Sequence, residues 1–306
     1  MNNKIIFFHA IRDQIWFEKV IILLKSKYKL IKIKDLEDFY YSGKILKNVC
    51  HLTIDDGDKT FYNIMYPILK KHNVPATLFV SPKICTTNEN FWFQEIKGDN
   101  EKQFKEIIAQ YYNIKVAQIN QYLIGMFLKN CRIEDIWNII FTFNKQFNLQ
   151  LKEPQNLSFE QLSEIDKEGL VTIGAHTLNH PILANEKDEC SKNEIISSIM
   201  ELENILEHEI KYFAYPNGIP SLDFGQREMD FLKYKNIRLA FSIDANNFTQ
   251  NCNPLSIPRF ELSHGNQLFL RAKLLLGNNW EKIKNIKSKG EYKSRIEIKN
   301  KLNLVK

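Results

Sequence analysis

The chain has 306 residues, 44% of them hydrophobic and 25% charged, which excludes a disordered or collagen-like chain and allows a core that needs no disulfide staples. Its five cysteines, Cys50, Cys85, Cys131, Cys190 and Cys252, are odd in number and contain no C-x-x-C, so reduced thiols are the simplest reading. The formal charge of +6 is local, because residues 282–306 hold nine Lys/Arg against Glu291 and Glu297 and leave the remainder near −1. That run reads as a solvated basic tail, with weak contact to an anionic membrane surface as the functional alternative. Only seven of the 42 basic residues are arginine and no nucleic-acid motif is visible, so nucleic acid is not an expected partner. No stretch approaches the ~18 apolar residues of a membrane span. The opening MNNKIIFFHAIRDQ meets His9, Arg12 and Asp13 too early for a signal-peptide core, so the expected location is cytoplasmic, at most peripheral to the inner membrane face.

In chain order, strand-like runs occur at KIIFFH, VCHLTI, ATLFV, LVTIGA, YFAYP and RLAFSI, alternating with amphipathic stretches. Helices are expected at FYNIMYPILKKH, with Ile64, Ile68 and Leu69 on one face, and at SKNEIISSIMELENILEH, with Ile195, Ile199, Leu202 and Leu206 on one face. This βαβ rhythm implies an α/β fold with a largely parallel sheet or barrel. Ser158 and Gln161 stand at capping-box spacing and mark a helix start before the LVTIGA run. Residues 90–155 break the rhythm with consecutive helical patterns and are read as an insertion. Its aromatics, Phe91, Trp92, Phe93, Trp137, Phe141 and Phe143, are read as core packing in preference to a lid over a site.

Four segments carry chemistry. HLTIDDGDKTF places Asp55 and Asp56 where an apolar run gives way to a loop, the position at which α/β barrels build active sites. Neighbouring residues on extended backbone point apart, so one carboxylate can bind a metal while the other handles protons; the alternative is a D-D-G turn whose carboxylates only cap backbone. Asp58 extends the acidic cluster and is read as no more than solvated. IGAHTLNHP carries His176 and His180 four positions apart, a spacing that in a helical turn sets both imidazoles on one side for a divalent metal, with Asp56 as third ligand. YFAYPNGIP ends a run with a sharp turn whose exposed amides can serve an oxyanion, or are merely those of an ordinary turn. IPRFELSHGN offers Arg259 and His264 near the last strand, each structural if taken singly.

In this order, TIDDG, HTLNH, FAYPNG and a late arginine with a histidine resemble the polysaccharide deacetylase family, also called carbohydrate esterase family four, across most of the chain. The opening FFHAI and the segment from IWFEKV to YYSGK are similar to bacterial members as well. The resemblance implies a distorted (β/α)7-type barrel over 1–281 with the helical insertion at about 90–155, followed by the basic tail at 282–306. It also implies a metal-dependent hydrolase that removes the N-acetyl group of an amino sugar in a glycan or glycan precursor of surface polysaccharide synthesis. Asp55 matches the base, Asp56, His176 and His180 the ligands of a divalent metal, zinc by default, and the Tyr215 amide the oxyanion contact. The family's third motif starts with an arginine that pairs with the catalytic aspartate, and here that position is Ala214. Arg259 is the expected replacement cation. His264 is the expected general acid, with His9 next in line. Competing readings are an O-acetyl esterase or another C–N hydrolase on the same barrel, and a non-catalytic glycan-binding protein.

Overall fold

The computed structural model describes residues 3–87, 89–96, 100–244, 246–277 and 290–302. Seven parallel strands close a ring: β1 (Lys4–Phe8), β3 (Val49–Ile54), β4 (Ala76–Val80), β5 (Val171–Ala175), β6 (Tyr212–Ala214), β7 (Leu239–Ile243) and β8 (Ile257–Glu261). Closure comes from β1, which pairs with β3 on one side and β8 on the other. The two-residue β2 (Lys29–Leu30) pairs only with the start of β3 and stays outside the ring. Strands β1, β3 and β4 are buried at every position, as expected where a parallel sheet is covered on both faces. Each of the six apolar runs read from the sequence supplies one ring strand. The seventh, β8, contains Pro258, which weakens its strand signal.

Helices α1 (Gln14–Lys27), α2 (Ile33–Tyr41), α3 (Tyr66–His72) and α4 (Pro82–Thr87) follow the first strands. The expected helix at 61–72 opens with a π-helical turn, Phe61–Met65, because Pro67 has no N–H to return to the carbonyl of Asn63. The insertion contributes α5 (Trp92–Glu95), α6 (Glu101–Tyr112), α7 (Val116–Asn120), α8 (Ile124–Leu128) and α9 (Ile133–Gln146). It has its own core, in which Phe104, Ile108, Phe127, Ile139 and Phe143 pack together. The chain then returns to the barrel through α10 (Phe159–Glu168), which starts on the Ser158–Gln161 capping box. Helices α11 (Asp188–Leu206), α12 (Gln226–Tyr234) and α13 (Gln267–Leu276) complete the outer layer. Among the described residues, no helix is long and apolar enough to cross a membrane.

The basic C-terminal run departs from its reading as a solvated tail. Residues 282–289 and 303–306 lie outside the described residues, but Glu291–Leu302 form a helix that docks on the molecule. Ile298 enters the insertion's core, and Arg295, three residues earlier on the same face, is wholly buried. Its guanidinium pairs with Asp223 and donates to the Lys129 carbonyl at 2.7 Å, so one basic residue of the run is a buried tie.

Candidate active site

All seven ring strands end on one face, and the chemical residues follow those ends. The Asp55 N–H donates to the Phe8 carbonyl (3.0 Å) and the His176 N–H to the Val80 carbonyl (3.0 Å), each continuing a strand ladder one residue into the loop. Immediately afterwards the backbone bends into the left-handed region: Asp56 has φ 73°, Gly57 71°, Thr177 63° and His180 55°. Such strained positions persist only where the surroundings fix them. At Gly57 an added Cβ would stand 3.0 Å from Val80 Cγ1, so conformation and space both select glycine. The bend at 176–180 is not the helical turn expected from the histidine spacing. Left-handed backbone at Thr177 and His180 swings the two imidazoles together instead.

Asp56 Oδ1 lies 3.4 Å from His176 Nε2 and 3.4 Å from His180 Nε2, and the three potential ligand atoms lie within 4.8 Å of one another. Two ligands of one tetrahedral zinc-sized ion, each bound at ~2.0–2.1 Å, stand ~3.3 Å apart, so the spacing suits such an ion. The donor chemistry agrees. Asp56 Oδ1 is buried without a hydrogen-bond partner, a costly state for a carboxylate that a cation would relieve. His176 Nδ1 donates to the Ala214 carbonyl at 2.7 Å, which leaves Nε2 as the lone-pair nitrogen facing Asp56 in the neutral ring. Burial lowers the His180 pKa to about 3, which keeps that ring neutral and able to ligate. For His176, burial acts in the same direction, but the close Asp56 carboxylate, together with the charge of Asp55, outweighs it and raises the pKa. Burial pushes the Asp56 carboxyl up, and the surrounding histidines more than reverse this, holding it well below the usual range.

Asp55 points elsewhere. Arg259 Nη1 donates to Asp55 Oδ1 and Nη2 to Oδ2, both at 2.7 Å, while Nη1 also reaches Thr53 Oγ1 at 3.1 Å and Nε the Ser242 carbonyl at 3.3 Å. Both side chains are buried. Burial raises the Asp55 carboxyl, but the Arg259 charge and fork, together with His176, bring it below its ordinary value, so Asp55 is ionised. The cation that Ala214 cannot provide is therefore supplied from β8.

Two expected residues sit differently. The Tyr215 N–H donates to the Phe241 carbonyl at 3.1 Å, a last rung between β6 and β7, so this amide is already engaged. Its ring stacks on Phe224 and its hydroxyl donates to the Leu255 carbonyl. Two residues on, Asn217 has φ 56° and its N–H has no partner among the described residues. Gly218 completes the turn, where a Cβ would press on the Tyr215 carbonyl oxygen at 3.0 Å and the Ile243 nitrogen at 3.1 Å. His264 is exposed, stacks on Trp16 and faces Asp13 at 3.3 Å. The histidine beside the cluster is His9, whose Nε2 lies 4.0 Å from Asp56 Oδ2. Asp58, read as solvated, accepts from the Thr60 N–H at 2.8 Å and turns the loop.

The profile of the polysaccharide deacetylase family matches residues 43–237, nearly two-thirds of the chain, and that span contains Asp55, Asp56, His176 and His180. The chain belongs to this family. A poly-beta-1,6-N-acetyl-D-glucosamine N-deacetylase of Staphylococcus aureus is 24% identical over 279 residues, covering 86% of this chain and 74% of the relative. Among solved structures, IcaB from Ammonifex degensii superposes with a TM-score of 0.60 at 16% identity, over 90% of this chain and 97% of that one. The Streptococcus pyogenes deacetylase PplD in complex with acetate gives 0.58 at 17% identity, over 86% and 92%. These likenesses agree with the closed seven-strand barrel.

Around this polysaccharide deacetylase site stand residues that the sequence reading passed over. Glu194 on α11 is buried and accepts from the Leu178 N–H (3.0 Å), the Asn179 N–H (2.9 Å) and Asn179 Nδ2 (2.6 Å), which pins the histidine loop from below. Its signal was present: Ser191, Glu194, Ile195, Ser198, Ile199 and Leu202 form the helix's buried stripe, and a carboxylate within such a stripe needs a partner. Ser81 Oγ donates to the His176 carbonyl at 3.1 Å. From the insertion, the Phe91 and Phe93 rings lie 5.4 Å and 5.0 Å from the His180 ring, and Trp92 Nε1 donates to the His180 carbonyl at 3.1 Å. Where the insertion ends, the Leu157 N–H donates to the Gly57 carbonyl at 2.8 Å, bracing the acidic loop.

Proposed function

We propose that this chain is a divalent-metal-dependent N-deacetylase acting on an N-acetylated amino-sugar glycan, with a β-1,6-linked N-acetylglucosamine chain as the first substrate to test. The observation that carries the reading is the division of labour between adjacent carboxylates. Asp55 is buried and clamped by Arg259, while Asp56 presents an unpartnered oxygen to two imidazoles. An ornamental D-D-G turn needs neither arrangement. The similarity to the S. aureus deacetylase supports the choice of substrate.

Asp56, His176 and His180 would hold the cation, zinc by default, and a cation there would polarise the acetyl carbonyl and lower the pKa of water. The chain's own residues do the rest. Asp55 accepts a proton from the attacking water; each of its oxygens keeps a free lone pair beyond its bond to Arg259, and the guanidinium holds the carboxylate ionised and oriented. His9, at the end of β1 and beside Asp56, is the proton donor we assign to the departing amine. The Asn217 amide replaces that of Tyr215 as candidate donor to the oxyanion.

The test combines metal content with acetate release from N-acetylglucosamine oligomers, UDP-N-acetylglucosamine and an O-acetylated sugar. Release from an N-acetyl sugar that chelation abolishes and zinc restores is expected. Asp55→Asn is expected to lower the rate by about 10²–10⁴-fold, and His9→Asn to cause a loss within the same range. Release from the O-acetyl ester alone would replace the reading with that of an esterase, and zinc-bound protein inert on every substrate would leave a glycan-binding homologue.

A further inference from the structure

An aromatic pair stands at the edge of the insertion's core, with Trp137 packed partly buried against that core and Phe141 exposed beside it. On α9, Ile136, Ile139, Ile140 and Phe143 face inward and are buried. Trp137 and Phe141, four residues apart, share another face, with their rings stacked at 5.5 Å and 27°. Phe141 is 51% exposed. The pair lines a cavity of about 480 Å³, inside the ~300–1,000 Å³ range of small-molecule sites.

This cavity adjoins the site. Phe91 lines it and also packs edge-on against His180, so one ring separates cavity from metal ligand. Asn179, next to His180 in the chain, forms another part of the wall, and its Oδ1 accepts from Lys83 Nζ at 2.8 Å. Lys83 in turn faces Glu89 at 3.6 Å. The lining therefore sets the aromatic pair, with Ile84, Ile133 and Leu151, beside amides, ammonium groups and carboxylates. A pyranose ring matches it: one face of axial C–H groups suits an aromatic surface, and the equatorial hydroxyls suit fixed polar groups at the edge. An acyl chain would leave the polar rim unused, and a nucleotide would bring phosphates among Glu89, Glu95 and Glu134, which outnumber Lys83 and Lys152.

We propose that this cavity is a sugar subsite, in which Trp137 and Phe141 hold a residue of the glycan one or more units away from the sugar that loses its acetyl group. The inference rests on the glycan substrate proposed above and extends it: binding energy collected on the insertion positions the reacting unit, so the enzyme takes an oligosaccharide in preference to a monosaccharide.

The test separates this inference from the one on which it rests. In zinc-loaded Asp55→Asn protein, calorimetry with β-1,6-linked N-acetylglucosamine oligomers of increasing length should show affinity rising about tenfold or more from the monosaccharide to the longest chain. Adding Trp137→Ala or Phe141→Ala should collapse that gain, while Trp137→Phe, which keeps a ring face, should retain most of it. In the active enzyme, the ratio of kcat/KM on long chains to that on short ones should fall in the two alanine variants, mainly through KM. Both alterations lie at the cavity surface, and equal thermal melting would confirm an intact fold. Length-independent binding by the parent protein, or a length gain indifferent to both alanines, would overturn the subsite. Absence of acetate release with the length gain intact would defeat the deacetylase reading and leave the subsite standing.

Discussion

Among the described residues, two arginine–aspartate pairs are buried, and they do different work. Arg259–Asp55 joins β8 to the end of β3 at the open face of the barrel, and Arg295–Asp223 joins the C-terminal helix to the loop after β6. Both guanidinium groups are fully enclosed. The charge balance differs, however. At Asp55, the guanidinium and nearby imidazole outweigh burial and lower the pKa, whereas at Asp223 burial wins and raises it despite Arg295 and the Ile219 N–H. Asp223 spends both oxygens on structural bonds, Oδ1 to Arg295 and Oδ2 to Asn217 and the Ile219 N–H. Among the described residues, Asp55 has no bonds to side chains other than Arg259, and it remains adjacent to Asp56 and the two histidines. A buried ion pair is weak evidence for stability, since desolvation offsets much of the attraction. What distinguishes the pairs is placement: Asp55 stands beside Asp56 and the two histidines, whereas Asp223 is tied into the turn at Asn217 and Ile219.

The comparison is broken most directly by removing each cation. Arg259→Ala leaves an enclosed carboxylate without its fork, and turnover should fall by about 10²–10⁴-fold, the range expected when a general base loses its ionised and oriented form. Arg295→Ala leaves Asp223 buried and unpaired and should cost about 3–5 kcal/mol of stability, visible as a lower urea midpoint. Its turnover per folded molecule, measured well below the melting temperature, should stay far above that of Arg259→Ala. Equal losses of turnover in the two variants would show that both pairs serve the site, with Asn217, which donates to Asp223 at 2.6 Å and to Glu291 at 3.2 Å, as the visible route.

A smaller effect separates the barrel interior from its mouth. His51 is buried beneath the site, with Nδ1 donating to the Ile31 carbonyl at 2.8 Å and Nε2 accepting from Thr77 Oγ1 at 3.0 Å, and burial lowers its pKa to about 4. The unfolded chain therefore binds a proton at about pH 6.5 that the folded chain refuses until about pH 4, so stability falls as pH drops through this window. The contribution lost is on the order of 3 kcal/mol. Denaturant midpoints of wild type and His51→Gln, measured from pH 7 to pH 4, should converge on acidification. Parallel curves would show that His51 is not the group responsible.

How much of this was legible beforehand follows from the range of each interaction. Strands show as local apolar runs, the Ser158 cap shows in four residues, and D-D-G and HTLNH mark their loops because ligand spacing is short. Arg259 could be named from a vacancy, since Ala214 stands where a cation was needed. Partnerships between distant residues had no local signature. Nothing near Arg295 announces Asp223, so its basic run looked solvated. The Tyr215 amide looked free because the register that gives it to Phe241 is set by pairing across β6 and β7. Helical aromatics were assigned to core as a group, and Phe143 is core with Trp137 packed partly buried against it, but Phe141 on the same helix is exposed.

His9 and His264 present the finest contrast, two histidines after neighbouring strands β1 and β8. His264 stacks on Trp16 and faces Asp13, whose side chain is itself half exposed and caps α1 through the Trp16 N–H at 2.9 Å. That contact gives His264 a role at the helix start, and an exposed ion pair of this kind contributes little. His264→Gln should therefore change kcat/KM by less than about twofold, in keeping with a solvent-screened pair away from the reacting atoms. A large loss of kcat with an altered pH profile in that variant, together with an unaffected His9→Asn, would return the proton donor to His264.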